Sequence, residues 1–169
     1  MTARGSIPAG RLTLRPLRGS DAPAIARVCS DVRVARMTSS IPHPYPPGAA
    51  EAFVAGRGAE DCWAMDGSAA GLPELCGVVG LTPGGDGAEL GYWVAPDLWG
   101  RGLASAAVRA LVRRNPLALP ALHAGVYRDN PASARVLIGA GFVLQGEDEG
   151  FSVARGAPVR RWRYRRSLP

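Results

Sequence analysis

The segment that most constrains the fold of this chain is "LGYWVAPDLWGRGLASAAVRALVRR" at residues 90–114. Its first part alternates as a half-buried strand does, two glycines then flank Arg101, and the last part carries apolar residues at helical spacing. A strand that passes through a short glycine loop into a helix presents unpaired backbone N–H groups and the positive end of the helix dipole at one point. Anions bind at such points, so the segment predicts an anion site at residues 100–105 in a fold that mixes strands and helices.

The amino-acid composition excludes some anions and leaves others open. All 20 basic residues are arginine, and a Walker-type nucleotide loop is excluded because it needs a lysine. A dinucleotide fingerprint would need a third glycine where Ser105 stands and an acidic residue about twenty positions later, but residues 117–122 contain no acid. The net charge of +6 leaves both nucleic acid and a phosphorylated cofactor as candidates.

The length and the few reactive side chains limit the class further. A chain of 169 residues with 47% hydrophobic residues favours one domain with a substantial core. We expect that domain to span residues 1–169, with residues 1–10 flexible. Three widely spaced cysteines and the isolated His43 and His123 indicate neither a disulfide framework nor a metal site. No signal peptide or membrane span is recognisable, so we expect a cytoplasmic protein without membrane contact.

Hydrophobic periodicity and cap residues predict an order of strands and helices without repeats. Residues 39–48 contain four prolines and are predicted to form a stiff loop. Asn130 is the predicted N-cap of a helix that starts with Pro131. Strands are predicted at 11–17, 61–67, 74–83, 88–96, 121–127, 142–148 and 158–168, and helices within 19–31, 50–60, 103–114 and 129–142.

Two of these segments together carry a resemblance to a known family. The run "AELGYWVAPDLWGRGLASAAVRALV" followed by "RDNPASARVLIGAGF" resembles the GNAT acetyltransferase superfamily, and within it the RimJ/RimL-like branch, which acetylates protein N-termini and small amines. The resemblance implies an α+β, sandwich-like fold whose mixed sheet is splayed between strands 88–96 and 121–127 and flanked by helices. It also implies acetyl-CoA as the cofactor, no metal, and a homodimer.

The resemblance implies a binding site for coenzyme A along the opening segment. The pantetheine arm would bind main-chain groups near Trp93 and Val94, and the pyrophosphate would lie on the amides that follow. The family usually carries Gln or Arg where this chain has Trp99, so Arg101 would carry more of the phosphate binding. Gly91 fits either a bulge that opens the splay or close packing. The implied cofactor-binding residues are Trp93, Val94, Gly100, Arg101, Gly102, Leu103, Ala104, Ser105 and Asn130.

The chemistry of amide formation needs a neutral amine and a proton for the departing thiolate. Glu89 is the candidate base, and the alternative is an exposed acid at a strand end. An α-amine with a pKa near 8 loses its proton more readily than a lysine side chain with a pKa of about 10.4. A single glutamate therefore suits an N-terminal substrate better. The superfamily's usual tyrosine acid is replaced by Leu137, so Ser133 becomes the candidate acid, unless it is simply a first-turn helix residue. Tyr127 is a weaker candidate.

Substrate contacts are expected from the proline loop, through His43 and Tyr45, and from Trp63; the alternative is that Tyr45 and Trp63 pack in the core. Residues 159–168 interleave arginines with Trp162 and Tyr164, which fits either nucleic-acid binding or an edge strand with solvated arginines. The sequence therefore predicts an N-acetyltransferase that lets a peptide N-terminus or a small-molecule amine attack acetyl-CoA directly. The alternatives are an RNA- or ribosome-binding protein and an acyl-CoA sensor, and ribosome association is an expectation for the enzyme as well.

Overall fold

In the computed structural model, which describes residues 5–56 and 61–169, eight strands form one mixed sheet with helices on both faces. The sheet order is β1-β2-β3-β4-β5-β6-β8-β7. The mixed, helix-flanked architecture expected from the sequence is confirmed. The elements are β1 (Ile7–Ala9), β2 (Leu12–Pro16), α1 (Ala22–Cys29), α2 (Val32–Ala35), α3 (Ala49–Ala55), β3 (Asp61–Asp66), β4 (Gly77–Gly84), β5 (Gly87–Val94), α4 (Leu103–Arg114), β6 (Ala121–Tyr127), α5 (Pro131–Gly139), β7 (Val143–Ser152) and β8 (Ala157–Ser167).

The sheet opens between β5 and β6, two neighbouring strands that run parallel to each other. These strands pair at Ala88↔Leu122 and Glu89↔His123, and the ladder then ends although both strands continue. The later residues of β5 therefore face a gap on this side, which confirms the expected splay. On its other side, β5 stays in register with β4 along its whole length, so the bulge proposed at Gly91 does not occur there.

The two faces of the sheet carry separate hydrophobic clusters. α4 packs on one face, where Leu90, Leu111 and Leu122 are almost completely buried. Burying one such leucine stabilises the fold by roughly 2 kcal/mol. α1 and α3 pack on the other face, around Ile25 and Val78. None of the helices in the described part of the chain is long and apolar enough to cross a membrane.

The N-terminal part of the chain departs from the prediction at two places. Residues 7–9, expected to be flexible, form β1 because Ile7 and Ala9 are buried at 4% and 1% exposure and pair with β2. The four-residue helix α2 was not predicted; Asp31 caps it by accepting a hydrogen bond from the Arg33 N–H. Part of the predicted helix 50–60 and residues 1–4 lie outside the described residues.

Helix α5 begins at the cap residues that the sequence predicts. The side chain of Asn130 accepts a hydrogen bond from the Ser133 N–H at 3.3 Å, and Pro131 begins α5.

β8 was considered as an edge strand, but it lies between β6 and β7. The strand at the edge is β7, because the chain returns after it and inserts β8 into the sheet.

A buried ion-pair cluster joins β2 to β3 away from the splay. Arg15 donates to both oxygens of Asp21 at 2.9 and 2.8 Å and to Asp66 at 2.7 Å. Burial alone would raise the pKa of Asp66, but hydrogen bonds from Ser68 and Arg15 outweigh burial and lower that pKa to about 2. The cluster therefore holds the start of α1 against the sheet while its carboxylates stay ionised.

Candidate active site

The loop before α4 has the geometry of an anion site. Gly100 and Gly102 adopt φ values of 77° and 74°, in the left-handed region that side chains other than glycine rarely enter. A Cβ at either position would meet nothing within 4 Å, so backbone conformation rather than crowding favours glycine. Among the described residues, no backbone or side-chain acceptor binds the amides of residues 100–105. These N–H groups and the helix dipole are therefore available to a bound phosphate.

Trp99 connects this loop to β5. Its indole Nε1–H donates to the Val94 carbonyl at 2.8 Å, so this indole N–H has a main-chain partner. The Arg33 guanidinium lies 5.7 Å from the centroid of the Trp99 ring, which is a cation–π distance. An arginine from α2 thus lies near the position where the family usually has Gln or Arg. Arg33 could not be predicted here from the sequence because 66 positions separate it from Trp99 in the chain.

A cavity of about 1050 Å³ joins this loop to the splay between β5 and β6. It is lined by most of the predicted site residues, although they come from four separate parts of the chain. Glu89, Trp93, Val94, Gly100, Gly102, Leu103, Ala104, Ser105, Asn130, Ser133 and Tyr45 line it, whereas Arg101, His43 and Trp63 do not.

The three residues outside the cavity have other surroundings. Arg101 is exposed, and its carbonyl accepts a hydrogen bond from Arg11 at 2.8 Å. His43 is exposed on the proline loop. Trp63 is 1% exposed and lies in the α4-side core, where it borders a smaller cavity of about 220 Å³. This position fits the packing alternative for Trp63 rather than substrate contact.

Two hydroxyl groups meet where α5 crosses the splay. The Tyr92 hydroxyl lies 2.5 Å from Ser133 Oγ, where either oxygen can be the donor, and 3.3 Å from the Ser133 carbonyl. Burial raises the pKa of Tyr92 to about 12, so this hydroxyl keeps its proton at physiological pH. Both residues line the cavity, and together they form a proton-donating pair. Tyr92 was missed as a functional residue because strand alternation only placed it beside Leu90 and Val94.

Glu89 forms a bidentate ion pair across the splay. Its two oxygens accept from the Nη1 and Nη2 atoms of Arg163 at 2.7 and 2.8 Å, and its side chain keeps 43% exposure. A Cβ on Gly125 would lie 2.7 Å from Arg163 Nη1, so the glycine on β6 leaves room for this side chain. Each carboxylate oxygen has a second lone pair, and the Glu89 side chain lines the open cavity. Glu89 is therefore placed to hold a water molecule or an amine proton.

The arginine-rich strand β8 is balanced by acids. Arg161 binds both oxygens of Asp148, and Arg165 and His123 both contact Asp86. On the other face, Tyr164 is 5% exposed within the α4-side core. This arrangement fits the packing interpretation of the strand, since its charges meet partners within the chain. In the described part of the chain, no group of three or more His, Cys, Asp or Glu side chains is placed to hold a metal ion.

A helix start with free amides that opens into a splayed mixed sheet is the arrangement expected of an acetyltransferase of this fold. The chain belongs to the GNAT acetyltransferase family, because the family model described as "Acetyltransferase (GNAT) domain" matches residues 11–143. The resemblance noted from the sequence is confirmed at this level. The chain is also 33% identical over 90 residues to the uncharacterized N-acetyltransferase YoaA of Bacillus subtilis (strain 168). That alignment covers 50% of this chain and 51% of the relative, about half the length of each.

Solved structures show the same fold at low sequence identity. A GNAT-family acetyltransferase from Bacillus anthracis has a TM-score of 0.81 at 19% identity, covering 96% of this chain and 98% of that one. RimL, a ribosomal L7/L12 alpha-N-protein acetyltransferase solved with coenzyme A, has a TM-score of 0.79 at 20% identity, covering 97% and 98%. The fold is therefore shared with these two solved structures despite the low sequence identity.

Proposed function

We propose that this protein transfers the acetyl group of acetyl-CoA to a primary amine by direct attack within a ternary complex. The observation that carries the proposal is the single cavity that joins the free amides of residues 100–105 to the hydroxyl pair and to Glu89. Acetyl transfer from acetyl-CoA to an amine uses groups that bind the pyrophosphate of the donor, accept a proton from the amine and give a proton to the thiolate. One cavity offers groups for all three.

The donor would bind along the loop and the splay. The amides of Gly100 and Gly102 to Ser105 would hold the pyrophosphate, with Arg33 adding a guanidinium near Trp99. The pantetheine arm would lie against the unpaired edge of β5 at Trp93 and Val94, with Asn130 at its side. Coenzyme A in the solved RimL structure supports this donor class for the family.

The reaction forms a C–N bond and breaks the C–S bond of the thioester. The amine nitrogen attacks the carbonyl carbon, and main-chain N–H groups of the splayed strand stabilise the oxygen that becomes negative. The proton lost by the amine passes to Glu89, through a water molecule. Ser133 gives a proton to the departing thiolate, and Tyr92 then replaces it through the hydrogen bond between the two hydroxyls.

The acceptor would be a peptide N-terminus or a small-molecule amine, as in the RimJ/RimL-like branch. An α-amine with a pKa near 8 is partly neutral at pH 7, which suits a base whose carboxylate is shared with Arg163. The RimL structure, whose protein is described as acting on the α-amine of ribosomal L7/L12, supports this branch. A single domain over residues 1–169, a cytoplasmic location, ribosome association and a homodimer stay predictions.

The test is thermal unfolding with acetyl-CoA, followed by thiol release with a panel of amines. We expect acetyl-CoA to raise Tm, and acetyl-pantetheine, which lacks the pyrophosphate, to raise it much less. Thiol release should depend on an added amine. A Tm shift without transfer to any amine would indicate an acyl-CoA sensor, and salt-dependent RNA binding without a Tm shift would favour the RNA-binding alternative.

A further inference from the structure

The two faces of β5 present different chemical groups beside the splay. Tyr92 points to the α4 side, where it meets Ser133 on α5. Glu89, Gly91 and Trp93 alternate with it and point to the opposite side, toward α1 and α3. Under the proposed function, the thiolate needs a proton on the first side and the amine loses one on the second. The acceptor therefore belongs on the side of α1 and α3.

On that side, β4 and β5 form a trough with two unlike ends. Opposite residues pair as Thr82↔Glu89 at one end, Gly80↔Gly91 in the middle and Val78↔Trp93 at the other end. The middle pair has no side chains, and a Cβ on Gly91 would meet nothing within 4 Å. Two residues of strand span about 7 Å, so each end lies about one side-chain length from the glycine pair.

The Trp93 end of the trough is apolar. Ile25 and Val78 are buried at 1% and 4% exposure, and half-buried apolar side chains close around them. All of these side chains line the large cavity, and the half-buried ones, Ile41, Tyr45, Phe53 and Trp93, keep apolar surface exposed. We call this part the apolar arm; it consists of Ile25, Ile41, Tyr45, Phe53, Val78 and Trp93.

The charges that line the cavity disfavour a cationic acceptor. Glu89 is its only carboxylate among the described residues, and both oxygens of that carboxylate accept from Arg163. Arg33, Arg135 and Arg161 also line the cavity. A polyamine, or a peptide with further basic residues near its N-terminus, would add positive charge without finding a free acid there.

We propose that the apolar arm binds the side chain next to the reacting amine, so that the acceptor is a primary amine with an uncharged aromatic or branched aliphatic substituent. This inference rests on the proposed function and names its substrate class. The amine lies toward Glu89, the glycine pair leaves room for the backbone of the acceptor, and the apolar side chain packs on Trp93 and Phe53. The apolar arm shares its face of β5 with the base and not with the hydroxyl pair, which assigns it to the acceptor rather than to a longer acyl chain.

The experiment measures thiol release from acetyl-CoA with dipeptide amides that begin with phenylalanine, leucine, alanine, aspartate or lysine, and with spermidine. We expect kcat/KM for phenylalanine and leucine to exceed that for alanine by about tenfold or more, because an apolar pocket discriminates on that scale. Phe53→Ala should remove most of this preference, by lowering kcat/KM for phenylalanine and leucine toward the value for alanine. Phe151→Ala is the matched control, since Phe151 is 59% exposed on β7 and does not line the cavity.

A second variant guards against a folding defect in Phe53→Ala. Ile41→Asp places a carboxylate in the apolar arm from a loop position, and it should shift the preference toward the lysine peptide. Equal rates for all amines, or a preference for aspartate, lysine or spermidine in the unsubstituted protein, would overturn the inference but leave the proposed function intact. A preference for hexanoyl-CoA that Phe53→Ala abolishes would also overturn it, because the apolar arm would then bind the acyl chain. Thiol release that proceeds equally fast without any added amine would reject the proposed function and the inference with it.

Discussion

The two ends of the large cavity are built in different ways. The phosphate end consists of one continuous segment, in which Gly100, Gly102 and the first turn of α4 follow one another along the chain. The acceptor end consists of residues brought together over long distances, such as Glu89 with Arg163, which are 74 positions apart. The first end depends on backbone conformation, and the second depends on side chains that only the finished sheet places together.

This difference predicts how each end responds to substitution. Backbone N–H groups cannot be removed by changing a neighbouring side chain, so the phosphate end should fail only when its loop conformation changes. At the acceptor end, each side chain can be replaced by itself while the sheet stays intact. The loop should therefore give the largest losses of activity, and the ion pairs should give smaller losses that depend on the substrate.

The largest effect is expected from Gly102→Val. A β-branched residue at φ 74° should shift the loop and misdirect the amides. Losing two charge-assisted hydrogen bonds costs about 4 kcal/mol, so kcat/KM should fall by about 1000-fold, mostly through KM for acetyl-CoA. Gly71→Val is the control, since Gly71 has φ 73°, equally open surroundings and no place in the cavity. Equal donor binding by both variants would show that the loop does not hold the phosphate.

The next effect tests the hydroxyl pair. Ser133→Ala should lower kcat by about 100-fold while KM for acetyl-CoA changes little, because general acid catalysis acts on the departing thiolate. Tyr92→Phe removes only the hydroxyl behind Ser133 and should lower kcat by about tenfold. Tyr164→Phe, which alters a buried tyrosine that does not line the cavity, should retain full activity. If Ser133→Ala keeps the rate of the unsubstituted protein, the proton reaches the thiolate by another route.

A smaller effect is expected from Glu89→Gln, and its size should depend on the amine. For an α-amine with a pKa near 8, kcat/KM at pH 7 should fall by about tenfold, because part of the amine is already neutral. An amine with a pKa near 10 should lose more, and raising the pH should restore part of both rates. Kinetics over pH 6–9 with two such amines would measure this, with Glu149→Gln on the exposed edge strand as control. An equal loss for both amines would assign Glu89 a role in placing Arg163 rather than in proton transfer.

The sequence predicted the glycine loop and the helix at the phosphate end because their signals are local. A glycine loop, a helix cap at Asn130 and the periodicity of α4 each depend on neighbours within a few residues, and such patterns can be interpreted without a structure. The splay itself came from the family resemblance. No local pattern predicts that the ladder between β5 and β6 ends after Glu89.

The long-range contacts of the molecule could not be predicted in the same way. Alternation placed Tyr92 on one face of β5, but only the packing of α5 brings Ser133 to 2.5 Å from its hydroxyl. Arg33 reaches Trp99 from a short helix that has no strong periodicity. The sequence left Trp63 as either a substrate contact or a core residue, and its pairing with β4 and 1% exposure fit the core position. Long-range pairs of this kind depend on the strand order, which a single sequence does not specify.

The smallest effect on activity is expected from Asp66→Asn, in the ion-pair cluster of Arg15 on β2 and β3. The residues of this cluster, like those of the acceptor end, are far apart in the chain, but they do not line the cavity. We therefore expect kcat/KM to stay within about twofold. Asparagine keeps an acceptor for Ser68 and loses the charged contact with Arg15, which should lower the free energy of unfolding at pH 7 by about 2 kcal/mol.

The same substitution should change how stability depends on acid. The pKa of Asp66 is about 2 in the folded protein and about 3.9 when unfolded. Its contribution is therefore complete above pH 4 and is lost as the pH falls toward 2, because the unfolded chain binds the proton first. Urea unfolding at pH 7, 4 and 2 should show the two proteins converging over the last interval. A difference in the free energy of unfolding that stays constant down to pH 2 would mean that Asp66 stabilises the fold through packing and not through its charge. A loss of activity at pH 7 would extend the functional role of side-chain ion pairs beyond the cavity.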